Sequence, residues 1–482
     1  MKKKIWSGAA LLTALVLLLS GCSYQMLTPD QLMRPPRYYG ENEGLQEAFA
    51  EAAPNAMLKA PYEGEYHSAF ILTDLDGDGV EEALAFYVNN VDKNICRMML
   101  FKWEQESWTL CSTVRGEGSE VVSVSTGDMD ADGVQEIIVG WGISGSQERT
   151  LSVYRYTPQS GDLRSLASES YRLMACLDFD GDSEKELFVV SSISSASTGT
   201  AGTELGTLRF RARLLKIQEA VQPDDTVAVS ITAVSELLLP SAAADCTQLV
   251  VQPAIGEEPQ AIFLDCTLGE GGMFTDIITW SGGRLTRIDT GGEESPFRYT
   301  YRTSNITCQD INQDGYVEIP AQMVLDGGVN SSATVVNSSA ADTTGEKAVD
   351  DQMYLTVWQR LSANRLIPVG NSVINFNDSY MFLFKGEWTS GNFPNMTNNV
   401  TVEANIGNRT WSFYDYDYQT KVRGRLIFEI IVHPAGTDIS TTDEQEILTN
   451  GGLIYTVRMG AGASSRKVAY EDVAKGFVLL DS

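Results

Sequence analysis

The strongest constraint on this chain is a nine-residue acidic segment that occurs four times. The copies begin at Asp74, Asp128, Asp178 and Asp310, so successive starts are 54, 50 and 132 residues apart. Each copy has acidic side chains at positions 1, 5 and 9, Asp or Asn at position 3, and strand-forming residues directly after it. Carboxylates in one tight loop repel one another, and a hard cation takes such a cluster of oxygens as ligands. Each copy therefore predicts a cation-binding loop.

An EF-hand begins with the same Asp-x-Asp-x-Asp-Gly run, so the two kinds of loop have to be distinguished. An EF-hand has a bidentate Glu at position 12 and a helix on each side. Position 12 here is Ala85, Val139, Val189 or Ala321, and the acid comes at position 9 instead. Because β-forming residues follow at once, the segment is predicted to be the turn of a β-hairpin.

This pattern resembles the calcium loops of FG-GAP/VCBS repeats, which occur in integrin α-subunit propellers and in many bacterial surface proteins. The resemblance covers roughly residues 65–325. In that family the side chains at positions 1, 3, 5 and 9 bind Ca²⁺ together with the backbone carbonyl at position 7. The resemblance implies up to four structural calcium ions. Their expected ligands are Asp74, Asp76, Asp78, Val80 and Glu82; Asp128, Asp130, Asp132, Val134 and Glu136; Asp178, Asp180, Asp182, Glu184 and Glu186; and Asp310, Asn312, Asp314, Tyr316 and Glu318.

The third copy departs from the family pattern at position 6. Glycine there allows the positive φ of a tight turn, and Gly79, Gly133 and Gly315 supply it, whereas the third copy has Ser183. An alternative interpretation of all four copies is that the Asp side chains only form turns with their own backbone. If the loops bind calcium, we expect dissociation constants of roughly 10⁻⁴ to 10⁻³ M, as in extracellular modules. The ion would then be structural and not a sensor.

The predicted fold class is mainly β: a propeller of about five four-stranded blades with Asp-rich hairpins, followed by a small α+β domain. Spacings near 50 residues between copies favour such blades. A degenerate blade without the Asp ladder is predicted between about residues 248 and 289. Two Ser-, Thr- and Gly-rich inserts, 191–204 and 326–351, are predicted to be surface loops. The predicted domains are 1–21, a signal peptide; 22–64, a tether and short helix; 65–376, the propeller; and 377–482, the α+β domain closed by a helix at 468–479.

The N-terminus predicts export and lipid attachment. Lys2, Lys3 and Lys4 precede an apolar run that is too short to span a membrane comfortably, which is typical of a signal peptide. The following Leu-Ser-Gly-Cys at 19–22 resembles a bacterial lipobox, in which cleavage precedes the Cys and its sulfur carries diacylglycerol. The resemblance implies lipidation at Cys22 and a place on the extracytoplasmic face of a bacterial cell membrane. The alternative is an ordinary signal peptide with a chance Cys.

The net charge bears on the kind of partner, and the cysteine spacing bears on whether disulfides form. A formal net charge of −29 argues against nucleic acid as a partner and is consistent with cation binding. The six cysteines after Cys22 show no CxxC spacing, so buried thiols are favoured. Disulfides between Cys96 and Cys111, or between Cys246 and Cys266, are the alternative.

Catalytic motifs are scarce in the sequence. His67 and His433 are the only histidines, which leaves little scope for a Ser-His-Asp triad, and there is no GxSxG, P-loop or HExxH. The aromatic run 411–418 is predicted to be a half-buried strand. Alternation places Trp411, Phe413, Asp415 and Asp417 on one face and Tyr414, Tyr416 and Tyr418 on the other. A sugar-stacking surface is the alternative there.

Two hypotheses on function follow. In the first, a calcium-stiffened propeller on a lipid anchor presents loops to an unknown protein or glycan partner. In the second, the propeller is the scaffold of an accessory or catalytic carbohydrate-active enzyme of the envelope. The paired carboxylates that such an enzyme requires are mostly in the acidic segments, so the first hypothesis is preferred.

Overall fold

The computed structural model describes residues 42–194, 208–221, 227–256, 258–290, 299–331, 352–384 and 399–480. The predicted signal peptide, Cys22 and the tether before residue 42 lie outside these residues, and so does most of each insert. In the described part of the chain, no helix combines the length and the hydrophobicity needed to cross a bilayer.

The described chain is mainly β and contains several four-stranded antiparallel sheets. Sheet 1 consists of β1 (Met57–Leu58), β2 (Phe70–Thr73), β3 (Glu82–Val88), β4 (Cys96–Glu104) and β5 (Ser107–Arg115). Sheet 2 consists of β6 (Glu120–Gly127), β7 (Glu136–Gly142), β8 (Arg149–Thr157) and β9 (Asp162–Tyr171). Sheet 3 consists of β10 (Leu173–Leu177), β11 (Glu186–Ser194), β12 (Leu208–Val221) and β13 (Val227–Leu238). Sheet 4 consists of β14 (Ala243–Gln252), β15 (Ala261–Leu268), β16 (Met273–Ser281) and β17 (Arg284–Arg287).

Two further sheets complete the described chain. Sheet 5 has the order β18 (Glu318–Val324), β20 (Tyr354–Ser362), β21 (Arg365–Asn375), β22 (Tyr380–Leu383) and β28 (Phe477–Leu479). Sheet 6 has the order β19 (Val329–Ser331), β23 (Val400–Asn405), β24 (Thr410–Asp417), β25 (Val422–Pro434), β27 (Leu453–Met459) and β26 (Glu444–Asn450). The helices are α1 (Asn42–Ala52), α2 (Ala463–Arg466) and α3 (Tyr470–Gly476). The predicted hairpins at the first three acidic segments and the four strands of the degenerate unit, which is sheet 4, are confirmed. The fourth segment is preceded by a single bridge from Gln309 to Glu318 and not by a strand.

Strands β3 and β7 are covered on both faces. The cause is that each sheet packs against the sheets or the helix next to it in sequence. In β3, Leu84 and Phe86 contact the core shared with sheet 2. The alternate residues Ala85 and Tyr87 contact Phe49 of helix α1 instead. This explains why β3 and β7 are unbroken apolar runs after their first residue.

The sheets form a row in which each pair of neighbours shares one hydrophobic core. Separate clusters join sheets 1 and 2, sheets 2 and 3, sheets 3 and 4, sheets 4 and 5, and sheets 5 and 6. The far face of sheet 1 packs on helix α1, whose apolar residues recur at helical spacing. No closed barrel or propeller is found in the described residues, so the number of blades stays a prediction.

The C-terminal part is joined to sheet 5 more closely than the sequence predicts. Strand β22, expected in the α+β domain, pairs with β21, so the predicted boundary at 377 falls between two hydrogen-bonded strands. Strand β28 then pairs with β22, and Tyr380 stacks on Phe477 at 5.0 Å between ring centroids. The predicted closing helix at 468–479 is therefore wrong at its end, since helix α3 stops at Gly476 and a strand follows.

The two inserts are not wholly loop. Residues 191–194 extend strand β11. Strand β19 lies inside the second insert and pairs in parallel with β23 of sheet 6. The inserts were predicted as surface loops on composition, which does not reveal pairing to a distant strand.

The aromatic run 411–418 forms strand β24, as predicted, but its alternation is interrupted. Register shifts occur between Phe413 and Tyr414 and between Tyr414 and Tyr416. A β-bulge moves the following residues to the other face of the sheet. Tyr416 and Phe413 are both buried, and the core cluster shared by sheets 5 and 6 includes Phe413 but not Tyr416.

The six described cysteines are free thiols. Cys246 and Cys266 are cross-strand neighbours, as predicted, and their sulfur atoms lie 3.6 Å apart. Cys96 and Cys111 are not cross-strand neighbours, since Cys111 falls at a register shift opposite Leu100 and Phe101. That predicted pairing is wrong.

Truncation of Phe49 tests whether helix α1 covers sheet 1. The Phe49 ring lies 5.6 Å from the rings of both Phe70 and Tyr87. We expect Phe49→Ala to lower the free energy of unfolding by about 3 kcal/mol, because the cavity would not close fully. Glu47→Ala, at an exposed position of the same helix, should change it by less than about 0.5 kcal/mol. Urea unfolding measures both, and equal effects of the two substitutions would contradict the packing.

Candidate metal centres

The four acidic segments occupy equivalent places in their sheets. We name them loop 1 (74–82), loop 2 (128–136), loop 3 (178–186) and loop 4 (310–318). Loop 1 joins β2 to β3, loop 2 joins β6 to β7, and loop 3 joins β10 to β11. Loop 4 precedes β18, and a single bridge between Gln309 and Glu318 stands where the first strand would be.

The glutamate at position 9 is the most constrained residue of every loop. It is the first residue of a covered strand, and its exposure is at most 1 % in all four loops. One carboxylate oxygen, Oε2, accepts the backbone N–H of position 2. The pairs are Leu75 with Glu82 at 2.9 Å, Met129 with Glu136 at 3.0 Å, Phe179 with Glu186 at 2.7 Å, and Ile311 with Glu318 at 2.9 Å. This bond ties the start of each loop to its end.

The aspartates at positions 1 and 5 accept hydrogen bonds from the backbone of the loop. In loop 1 the Asp74 carboxylate accepts the N–H of Gly77 at 2.8 Å and of Gly79 at 3.0 Å. Asp78 accepts the N–H of Val80 at 2.7 Å. The bond from position 7 to position 5 recurs in the other loops, where the donors are Val134, Glu184 and Tyr316. The Asp side chains thus do form turns with their own backbone, as the alternative interpretation requires.

Loop 3 keeps the common geometry although it lacks glycine at position 6. Ser183 has a φ of 75° and donates its N–H to Asp178 at 3.1 Å, as the glycines do in the other loops. The left-handed conformation costs a non-glycine residue about 1 kcal/mol. The carboxylates of Asp178, Asp180, Asp182 and Glu186 nevertheless lie within 4.8 Å of one another.

The structure brings together most of the predicted ligands. Loop 1 groups Asp74, Asp76 and Asp78, and loop 2 groups Asp128, Asp130 and Glu136, again within 4.8 Å. In loop 4, Asp310 accepts the N–H of Gly315, and Asn312 donates to Asp314 through its side-chain amide at 3.1 Å. Glu82 of loop 1 and Asp132 of loop 2 are outside these groups.

Several buried carboxylate oxygens in these loops have no hydrogen-bond partner in the described structure. They are Asp76 Oδ1, Asp130 Oδ1, Glu136 Oε1 and Glu318 Oε1. Glu186 Oε1 also lacks hydrogen-bond geometry. Lys216 Nζ lies 3.0 Å from this oxygen and Arg155 Nε lies 3.5 Å from Glu136 Oε1, so these two oxygens are ion-paired. A buried acceptor without a donor costs about 1–3 kcal/mol. Oxygens of this kind fit a hard divalent cation, which requires several oxygen ligands at one point.

A basic side chain lies opposite the position-9 glutamate in every sheet with an acidic loop, and the sequence analysis does not predict it. The strands that carry this side chain are β4, β8, β12 and β20. In sheet 5 Arg360 is directly opposite Glu318. The registers of sheets 1, 2 and 3 place Lys102, Arg155 and Lys216 in the corresponding position. The sequence does not single out this position, because three of these strands carry further basic residues, such as Arg97 in β4, Arg149 in β8 and Arg213 in β12.

Burial changes the protonation of the position-9 glutamates. Because it disfavours the charged form, burial raises the pKa of Glu82, Glu136 and Glu318 to about 7. It also raises the pKa of Glu186. The backbone N–H of position 2 acts in the opposite direction but does not cancel the effect of burial.

A separate pair of cavities lies beside sheets 2, 3 and 4. Their volumes are about 710 and 360 Å³, and both are lined by Arg149, Tyr171 and Arg172. Arg149 makes two hydrogen bonds of 2.7 Å to Glu63, and Arg172 makes two to Asp245 at 2.8 and 2.7 Å. Both guanidinium groups are therefore already neutralised. Neither histidine lines these cavities. His433 contacts Glu444 in sheet 6 at 2.7 Å.

Comparisons with known proteins do not identify the chain. No protein-family model matches it, and no curated protein does. The exotype rhamnogalacturonan lyase YesX overlaps at 10 % identity and a TM-score of 0.28, over 84 % of this chain and 91 % of that one. Sqt1 of Saccharomyces cerevisiae overlaps at 11 % identity and 0.27, over 84 % and 99 %. The rhamnogalacturonan lyase YesW overlaps at 9 % identity and 0.26, over 84 % and 91 %. TM-scores this low establish neither a shared fold nor a function.

The raised pKa values predict how the stability of the metal-free protein depends on pH. The folded state binds more protons than the unfolded state between the ordinary pKa of 4.5 and the folded value of about 7. These glutamates therefore make the free energy of unfolding fall as pH rises through that window. Urea unfolding in excess chelator at pH 5 and pH 7.5 measures the fall. The variant carrying Glu82→Gln, Glu136→Gln and Glu318→Gln should show a smaller fall, and an equal fall would contradict the prediction.

Proposed function

We propose that this protein is a lipid-anchored, extracytoplasmic β-propeller of about five blades that is stabilised by Ca²⁺ and presents loops to a protein or glycan partner. The observation that carries the calcium sites is the recurrence of buried carboxylate oxygens without a hydrogen-bond donor in loops 1, 2 and 4. All four loops have the same backbone bond from position 2 to the position-9 glutamate. A turn formed by Asp side chains alone does not require these oxygens to be buried.

The residues fit calcium better than a smaller or softer ion. Each loop offers only oxygen ligands, whereas zinc favours histidine and cysteine. The ion would be held by the side chains at positions 1, 3, 5 and 9 of its loop, with the position-7 carbonyl as a further ligand. Bound there, it would supply positive charge to a group of carboxylates that otherwise repel one another.

Contacts between neighbouring loops would extend the effect of each ion to the next sheet. Position 8 of loop 2, Gln135, donates its backbone N–H to Leu75 of loop 1 at 2.7 Å. Lys185 of loop 3 does the same to Asp128 of loop 2 at 3.1 Å. An ion that orders one loop would therefore order the edge of the adjoining sheet, which makes its role structural.

Membrane attachment is proposed from Cys22, which lies outside the described residues. The partner is proposed to be a protein or a glycan, because a net charge of −29 disfavours nucleic acid and anionic surfaces. The carbohydrate-active enzyme remains the alternative function, but no observation in the described structure favours it. Binding of the full chain to cell-wall glycan, measured with and without Ca²⁺, tests the partner class; turnover of the glycan would favour the enzyme.

Calcium should raise the thermal stability of the metal-free protein. At about 10 to 100 times the dissociation constant, each site should contribute roughly 1.4 to 2.7 kcal/mol to the free energy of unfolding. Differential scanning calorimetry with and without Ca²⁺ measures the shift in Tm. Asp310→Asn, which weakens loop 4, should reduce the shift by about a quarter if the four loops contribute equally, whereas Asp417→Asn on an exposed position of sheet 6 should leave it unchanged. An unchanged melting curve on protein shown to be metal-free would overturn the proposal.

Substitution of Cys22 tests the anchor separately. In a bacterial host, Cys22→Ser should move the protein from the membrane fraction to the soluble extracytoplasmic fraction, because one thioether to diacylglycerol holds it in the bilayer. Fractionation and immunoblotting measure the shift, with Cys111→Ser as the control that keeps the lipobox. Membrane association that survives Cys22→Ser would argue against the lipid anchor.

A further inference from the structure

Loops 1, 2 and 3 each contain a cation that the protein itself supplies. The side chains of Lys102, Arg155 and Lys216 are only 14–15 % exposed and end among the carboxylates. Lys102 Nζ lies 3.3 Å from Asp76 and 3.8 Å from Glu82. Arg155 contacts Asp130 and lies 3.0 Å from Asp132 and 3.5 Å from Glu136. Lys216 contacts Asp182 and lies 3.0 Å from both Asp180 and Glu186 and 3.7 Å from Glu184.

The three cations share two partners, the residue at position 3 and the glutamate at position 9. These are the residues that the calcium proposal assigns to the metal. A monovalent side chain at these distances and a divalent ion on the same oxygens would repel each other strongly in a partly buried site. The loop can therefore be closed by its own cation or by a metal, and the two exclude each other.

Loop 4 lacks this internal cation. Position 3 is the uncharged Asn312, and the guanidinium of Arg360 lies over the ring of Tyr316, 4.9 Å from its centroid. Glu318 Oε1 is fully buried and has no hydrogen-bond partner in the described structure. Beside the acidic pattern of the sequence, this buried orphan oxygen is a second observation that points to a bound cation in loop 4.

We propose that Lys102, Arg155 and Lys216 are internal counterions that compete with the metal for their loops, and that loop 4 binds the metal first. The inference rests on the proposed calcium sites and adds their regulation. Loops 1, 2 and 3 stay closed at low calcium because the side chain takes the place of the ion, and they load only when the metal displaces it. The four copies would then differ in affinity, although their acidic patterns are nearly the same.

Replacing Lys216 by an uncharged residue should lower the Tm of the metal-free protein and raise the calcium affinity of loop 3. Lys216→Met keeps the length of the aliphatic chain and removes the charge. In metal-free protein we expect a lower Tm, because Glu186 and Asp180 lose their counterion. The calcium affinity of loop 3 should rise by at least about tenfold, because the metal no longer displaces a cation. A residue with only a structural role would lower the Tm without raising the affinity.

The titration is designed to report on loop 3 alone. The full chain in detergent carries Asp74→Asn, Asp128→Asn and Asp310→Asn, which disable the other loops, and Ca²⁺ is added in a calorimeter with or without Lys216→Met. Lys475→Met, at an exposed position of helix α3, makes the same charge change and should leave the affinity within about threefold. In a second background with only loop 4 intact, Arg360→Met should also stay within about threefold.

The outcomes separate the two proposals. Tighter binding in Lys216→Met with a lower metal-free Tm supports the competition, even if the unsubstituted loop 3 binds no calcium up to 10-fold above the expected range. Equal affinities with and without Lys216→Met overturn the competition and leave the calcium sites standing. No calcium binding in any background, including the chain with four intact loops, overturns the calcium proposal and the competition together. Loop 4 binding more weakly than loop 3 overturns the predicted order of loading.

Discussion

The burial of one glutamate in each repeat is the constraint on which the rest of this structure depends. The side chain at position 9 begins a strand that is covered on both faces, so its carboxylate has to be satisfied inside the protein. One oxygen is satisfied by the N–H of position 2, which closes the loop. The other oxygen can bind a metal or a basic side chain of the neighbouring strand, which is β4, β8, β12 or β20. The acids of each repeat are therefore gathered at the edge of the sheet where the strand of the position-9 glutamate begins.

The features of this fold that the sequence predicts are those formed by residues close together in the chain. The acid ladder and the apolar run after it placed the hairpins, and strand patterns without a ladder placed sheet 4. Both signals depend on residues close together in the chain. The pairing of β22 with β28 was missed because it joins residues nearly a hundred positions apart. The bulge at Tyr414 was missed because local alternation carries no signal of it. The basic residue facing each loop was missed for the same reason: only the register of the second and third strands brings it to the acids.

The loops also connect the sheets to one another, and sheet 4 shows how that connection survives without a loop. In loops 2 and 3 the backbone of position 8 binds a carbonyl of the preceding loop. Loop 4 follows sheet 4, which has no acidic loop, and its Val317 N–H binds the side-chain oxygen of Gln252 at 3.0 Å instead. One buried glutamine at the end of β14 thus replaces the missing backbone partner. The hydrogen bond between units is retained even where the acids are lost.

Sheet 4 also shows that this protein neutralises a buried carboxylate with its own cation where no metal loop exists. Asp265 and Arg302 are both almost fully buried, and the guanidinium lies 2.7 Å from the carboxylate. Thr275 and the backbone N–H of Cys308 each donate to the same carboxylate at 2.7 Å. A buried ion pair is tolerated when its remaining oxygens are hydrogen-bonded in this way. In loops 1 and 2 the internal cation leaves carboxylate oxygens without a donor. Their carboxylates are therefore neutralised less completely than Asp265 of sheet 4. They are neutralised more completely than those of loop 4, where the guanidinium of Arg360 lies over Tyr316.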